Sequence, residues 1–236
     1  MGLALAPNNL IANFMNFIRF FHHLPSSMQS MERKLRATSR IGPHKKQVLS
    51  LLVGNLLGDS WGEKRYNSSR FHIYTSSKQI EYLYWLHKIY SQAGYCNPKR
   101  PQITPRIEKG NKLRYVIRFR LYSFSSLNWL YDAFYVDKVK KVSPQIGEWL
   151  DAQALAFWLM DNGGPIGNGV GLATNSFTLQ DVQLLQRVLK QNFNLTVNLH
   201  RDKDQWKLYF PKNQITKLSQ LIKPYMISSM YYKIHE

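Results

Sequence analysis

Two nine-residue stretches decide the fold: Leu52-Val53-Gly54-Asn55-Leu56-Leu57-Gly58-Asp59-Ser60 and Leu155-Ala156-Phe157-Trp158-Leu159-Met160-Asp161-Asn162-Gly163. Each is apolar almost throughout and ends in short polar or glycine residues. Extended backwards, the first reads as a nearly uncharged helix over Gln47–Gly58 and the second as an apolar helix over Ala152–Met160. Gly54 and Gly58, four residues apart, give the first helix a smooth stripe, and Ala152 and Ala156 do the same for the second. Helices with such stripes can approach closely, so the pair is expected to pack across a pseudo-twofold interface. Their C-terminal ends would then set Asp59 and Asn162 side by side. Two carboxylates at that point would make an oxygen-ligand site for Mg²⁺. Such a site activates water and stabilises displacement at a phosphodiester.

Outward from each helix the chain repeats one layout. After the first come a strand at Arg70–Thr75, a helix at Lys78–Ala93, strands at Gln102–Ile107 and Lys112–Tyr122, and a helix at Ser125–Tyr135. After the second come a strand at Val170–Thr174, a helix at Leu179–Phe193, strands at Leu195–His200 and Gln205–Phe210, and a helix at Gln214–Ile222. Thr75-Ser76-Ser77 and Thr174-Asn175-Ser176 sit at matching points before the long helices. The expected fold is α+β, with two pseudo-symmetric αββαββα halves around a central helix pair. The halves span residues 44–137 and 151–236, with a linker at 138–150 that carries Pro144 and Gly147. Gly163–Gly171 is glycine-rich but lacks the Lys-Ser/Thr pair and following helix of a phosphate loop, so it reads as a β-turn. Tyr82, Tyr84, Trp85 and Tyr90 read as helix packing against a sheet.

Alternation along the strands gives each sheet one apolar and one polar face. On the polar side of the first half stand Arg70, His72, Tyr74, Lys112, Arg114, Arg118 and Arg120. Leu113, Tyr115, Ile117, Phe119 and Leu121 make the expected apolar side of Lys112–Tyr122. The second half offers Thr196, Asn198, His200, Gln205, Lys207 and Tyr209. These side chains are the types that pair with phosphates and base edges. Four basic residues on one strand face repel one another unless an anion lies across them.

Composition agrees. The 236 residues carry 32 Lys+Arg against 14 Asp+Glu, a net charge of +18, which calls for a polyanionic partner. Hydrophobic residues make up 44%, enough for a core and too many for a disordered chain. Cys96 is the only cysteine, excluding a disulfide framework, a thiolate zinc site and an Fe–S cluster. No uncharged apolar run reaches the roughly 18 residues of a membrane span. Residues 1–43 hold one acid, Glu32, against a set of Arg and Lys, with Ile11, Phe14, Met15, Ile18 and Phe21 at helical spacing. That segment reads as an organellar transit sequence or as a basic arm lying on phosphate.

The two apolar motifs, about a hundred residues apart in matching halves, resemble the paired motifs of single-chain LAGLIDADG homing endonucleases of the organellar group I intron type. Leu221–Met226 and Met230–Lys233 are also similar to this branch. The resemblance implies saddle-shaped antiparallel sheets over a DNA major groove and metal-dependent cleavage by an acid at the eighth motif position of each half. It also implies a monomer acting on double-stranded DNA with a long asymmetric target, in mitochondria or another organelle. Carried onto this chain, the catalytic and metal-binding positions are Asp59 and Asn162, with Lys141 and Lys233 as flanking basic residues. Asn162 departs from the pattern, and Asp161 cannot replace it because one helical step turns a side chain by about 100°. An inactivating change, a nickase and a degenerate binding protein all fit that departure. The alternative function is a non-catalytic RNA binder, a group I intron maturase or an organellar ribonucleoprotein component, with structured RNA as partner.

Overall fold

A computed structural model of the chain describes residues 39–76, 79–108 and 110–235. The leader reading of residues 1–38 lies outside the described residues. Helix α1 (Lys46–Leu57) leads into β1 (Trp61–Arg65), β2 (Ser68–Ser76), α2 (Ile80–Gln92), β3 (Ile103–Glu108), β4 (Lys112–Arg120) and α3 (Asn128–Phe134). A small hairpin, β5 (Tyr135–Val136) and β6 (Val139–Lys140), and a short helix α4 (Ile146–Trp149) connect to the second half. There α5 (Ala152–Asn162) precedes β7 (Gly163–Ile166), β8 (Gly169–Ala173), α6 (Leu179–Phe193), β9 (Asn198–Asp202), β10 (Gln205–Phe210) and α7 (Lys212–Ile222). Two 3₁₀ segments, Lys223–Tyr225 and Ser228–Ile234, close the chain.

The two sheets are antiparallel and share one topology, β1-β2-β4-β3 and β7-β8-β10-β9. The first strand of each, Trp61–Arg65 and Gly163–Ile166, is an element that periodicity did not reveal. The first is too polar and the second too glycine-rich to show alternation. The glycine-rich stretch therefore forms the β7–β8 hairpin, with Gly167 in the left-handed region at its turn.

Helices α1 and α5 form the centre. A Cβ on Gly54 would stand 2.3 Å from the Ala154 carbonyl oxygen, and one on Gly58 would stand 2.4 Å from Asp161 Oδ2. The glycines thus mark the crossing, where one helix backbone lies directly on the other. Ala154 through Met160 are all buried, because α5 is covered by α1 on one side and by its own half on the other. Asp151 caps α5 by accepting from the Ala154 N–H at 2.9 Å, and its other oxygen accepts from Ser50 of α1 at 2.6 Å. Thr178 and Asp181 form a capping box on α6, so the cap lies just past Thr174-Asn175-Ser176.

Tyr82 and Tyr90 of α2 are fully buried, as helix packing requires, but Tyr82 also reaches across the pseudo-twofold axis to donate to Asp161 Oδ1 at 2.7 Å. The apolar face of β4 is covered only in part. Ile117 and Leu121 are buried, whereas Leu113 is 54% and Tyr115 49% exposed. The β3–β4 hairpin runs beyond the helical layer, so among the described residues no helix meets the outer half of that face. Ahead of α1, Arg40 donates to the Ser123 carbonyl at 3.2 Å, and His44 sits between the Tyr95 and Ser126 hydroxyls at 2.5 and 2.8 Å. The start of the first half is thereby tied to the end of β4.

Candidate active site and nucleic-acid face

Because α1 and α5 cross at their small residues, their C-terminal ends open into one cavity of about 270 Å³. Asp59, Lys140, Asn162 and Trp61 line it. Asn162 Oδ1 is buried and accepts no hydrogen bond from the described residues. With the Asp59 carboxylate it makes an all-oxygen donor pair that fits a hard divalent cation, although with one negative charge instead of two. Among the described residues no group of three or more His, Cys, Asp or Glu gathers around a metal-sized space.

Asp161 is turned away from this cavity, as the helical step requires. It is half-buried in the helix interface, its carboxylate accepting from Tyr82 OH and from Asn55 Nδ2 at 3.1 Å, while Tyr90 OH donates to Asn55 Oδ1 at 3.0 Å. Burial, reinforced by the Asp59 charge, pushes its carboxyl up to about 7. Next to Asn162 in sequence, it holds the two halves together instead of facing the cavity.

Of the two expected basic residues, Lys233 lies at the end of α5. It is buried, and its ammonium donates to the carbonyl oxygens of Met160 and Asp161 at the end of α5. In the first half the matching residue is Lys140, not Lys141. The Lys140 ammonium donates to the Gly58 and Ser60 carbonyls, both at 2.9 Å, at the end of α1. Lys140 closes β6, and the alternation of a strand aims its side chain at the cavity and that of Lys141 elsewhere. Lys141 instead donates its backbone N–H to Phe134 at 2.9 Å. Each lysine satisfies carbonyls that the helix end leaves without partners and offsets the negative end of the helix dipole. Burial pushes the Lys140 ammonium down to about 8 and lowers Lys233 as well, while Asp161 and Asp59 act in the opposite direction.

The polar faces form as the alternation predicts. Cross-strand partners share a face, and the pairs Arg70↔Glu63, His72↔Trp61, His72↔Arg120 and Tyr74↔Arg118 place the expected first-half residues together. Lys112 and Arg114 occupy register positions on the same side, opposite Glu108 and Arg106. Two residues not singled out by sequence join them. Glu63 pairs with Arg70 at 3.2 Å and His72 at 3.3 Å, and the Trp61 indole stacks on His72 with ring centroids 3.8 Å apart. Burial would raise the Glu63 carboxyl, but His72, Arg70 and Arg65 hold it below its usual value. Both residues lie on β1, the strand without a readable pattern, so no sequence signal marked them.

In the second half, Lys207↔His200 and Tyr209↔Asn198 pair, His200 stacks on Tyr209, and Gln205 opposes Asp202. Lys207 is tied to Asp202 by an ion pair. Thr196 is the exception. It precedes β9, its N–H donates to Gln214 at 3.0 Å, and its hydroxyl accepts from Lys190 at 3.2 Å. Those contacts place it against α6 and α7, because the strand begins at Asn198, three residues later than alternation suggests.

Two αββαββα halves, joined by a close helix pair and each presenting a polar sheet face, define a two-motif, single-chain architecture. Residues 49–218, most of the chain, match the LAGLIDADG DNA endonuclease family, to which this chain belongs. It is 35% identical over 196 residues to the cytochrome b mRNA maturase bI2 of Debaryomyces hansenii, a match covering 81% of this chain and 75% of that one. It is 36% identical over 156 residues to the intron-encoded endonuclease ai4 of Dictyostelium discoideum, covering 63% of this chain and 98% of the relative. The fold is similar to that of the homing endonuclease I-WcaI bound to its DNA recognition sequence, with a TM-score of 0.74, 21% identity and 90% and 93% of the two chains covered.

Proposed function

We propose that this chain is a site-specific DNA-binding protein that hydrolyses a phosphodiester at an intron insertion site with Mg²⁺, and that Asn162 impairs the cleavage. The supporting observation is the single cavity at the helix ends, where the first half supplies the Asp59 carboxylate and the second half an amide. Asp59 and Asn162 Oδ1 would hold the ion. A bound divalent cation supplies water activation and stabilises charge that builds on the phosphate. Lys140 and Lys233 fix the ends of α1 and α5 and so set the spacing of the two donors. The strand faces carry the duplex through Arg70, His72, Arg118 and Arg120 in one half and Asn198, His200, Gln205 and Lys207 in the other. With both halves in one chain, the protein acts as a monomer on an asymmetric site.

A metal centre contributes several kcal/mol to such a transition state. Loss of ~4 kcal/mol slows the step about a thousandfold. Replacing Asn162 by Asp restores the missing charge. The test compares the chain with Asn162→Asp on duplex DNA spanning the intron-less insertion site, in Mg²⁺, scoring nicked and linear products. The variant is expected to linearise DNA that the parent cuts slowly or only nicks. An equally inert variant would overturn the assignment of residues 59 and 162. Binding is expected to weaken with salt at a log–log slope near −7, for about 8 phosphate contacts.

A second reading is favoured by the maturase among the relatives: the chain binds structured intron RNA and assists its folding. In that case, specific DNA binding is absent and intron RNA is held tightly. Both readings place the protein in mitochondria or another organelle. Among the described residues no helix is long and apolar enough to cross a membrane.

A further inference from the structure

The two halves are matched in topology but not in what they put beside the cavity. Two residues after Asp59 stands Trp61, and two residues after Asn162 stands Gly164. Each lies on the first strand of its sheet, paired with β2 at His72 and with β8 at Gly171. In the first half this corner is filled by stacked and paired side chains. The indole is stacked on His72 within 3° of parallel, and His72 is held in turn by Glu63, which also holds Arg70. Trp61 is nevertheless 45% exposed and borders the cavity that contains Asp59. In the second half neither position of this corner carries a side chain of its own, and Ile166 covers one of them. A Cβ on Gly164 would meet nothing within 4 Å, and Gly171 is covered by the Ile166 side chain, 2.1 Å from where its Cβ would be.

An exposed indole held by a stacked partner is costly for a surface with nothing to contact. Ordered before binding, it loses little entropy on engaging a ligand. On a sheet face that follows a major groove, its apolar edge matches the thymine methyl group, the apolar feature that groove presents. We infer that Trp61, standing on His72 beside Asp59, determines specificity by reading a thymine methyl among the base pairs nearest the cut on the first half's side, whereas Gly164 leaves the second half's side permissive. The inference rests on the DNA-binding reading proposed above, and it adds Trp61 and Gly164, which that reading does not use.

The test uses duplexes spanning the intron-less insertion site in which the inner base pairs on either side of the centre are randomised. Bound duplexes are selected and sequenced for the parent chain, Trp61→Ala and Gly164→Trp. The parent is expected to select narrowly on one side, with thymine enriched, and broadly on the other. Trp61→Ala is expected to select broadly on both sides, and Gly164→Trp to sharpen the side that was broad. Replacing the selected thymine by deoxyuridine, which removes only the methyl, should weaken parent binding about fourfold and leave Trp61→Ala indifferent. Equal selectivity on both sides in the parent, or an unchanged profile in Trp61→Ala, overturns the inference while DNA recognition stands. Absence of any sequence preference along the whole duplex overturns the DNA reading itself. The first carbon of the Gly164→Trp side chain meets nothing within 4 Å, and its result does not depend on whether Trp61→Ala folds normally.

Discussion

Gly54→Ala is expected to destabilise this protein although alanine is the better helix former. The substitution adds one methyl group at the point where α1 lies on α5. That carbon would sit 2.3 Å from the Ala154 carbonyl oxygen and 2.8 Å from Phe157 Cβ. Neither neighbour can swing aside, since the first is backbone and the second is fixed to it. The helices must therefore separate by about 1 Å, which strains the hydrogen bonds that Asp161 accepts from Tyr82 and Asn55 across the same interface. Overpacking of this kind costs about 3 kcal/mol at the upper end of its usual range. The gain in helix propensity returns about 1 kcal/mol. The clash wins, leaving a net loss of about 2 kcal/mol, or a fall in Tm of roughly 4–8 °C for a domain of this size. Gly164→Ala is the control, because its methyl meets no atom within 4 Å. Urea unfolding and calorimetry of both variants measure the difference. A Gly54→Ala protein that melts with the parent would refute close helix contact as the reason for glycine at this position.

Two further perturbations separate neighbouring residues. Lys140→Met is expected to cost about 1–3 kcal/mol, because it strips the Gly58 and Ser60 carbonyls of their donor. Lys141→Met should stay within about 0.5 kcal/mol of the parent, as surface changes usually do, and equal losses in urea unfolding would reject the choice of Lys140. Asp161 gives a pH dependence. Its carboxyl, at 3.8 when unperturbed, is raised to about 7 by burial, so between those values the unfolded chain ionises while the folded one keeps its proton. Its contribution is thus fully present below about pH 4 and is lost as pH rises to about 7, a decline of at most ~4 kcal/mol. Asp161→Asn, measured by denaturation across that range in metal-free buffer, should flatten the decline. An unaltered slope would show that the carboxyl titrates normally.

The sequence by itself determined the repeat, the helix pair and the polar strand faces, since each is written in a periodicity that local geometry enforces. Gly54 and Gly58 announced a close contact, and the 100° step between Asp161 and Asn162 separated the buried carboxylate from the one expected at the cavity. It named Lys141 where the ammonium at the end of α1 belongs to Lys140, because the choice depends on which way a two-residue strand faces. It missed Trp61 and Glu63 because β1 carries no alternation to mark its faces. It also placed Leu113 and Tyr115 with the core, though among the described residues no helix extends far enough to cover them. Only the tertiary structure decided these points. Side-chain direction follows from the strand alone, but what the side chain meets is set by elements far away in the chain. The joining of Asn55, Tyr82 and Tyr90 of one half to Asp161 of the other is such a case. Polar groups left unpaired in a buried interface are costly, so the fold itself had to bring these partners together.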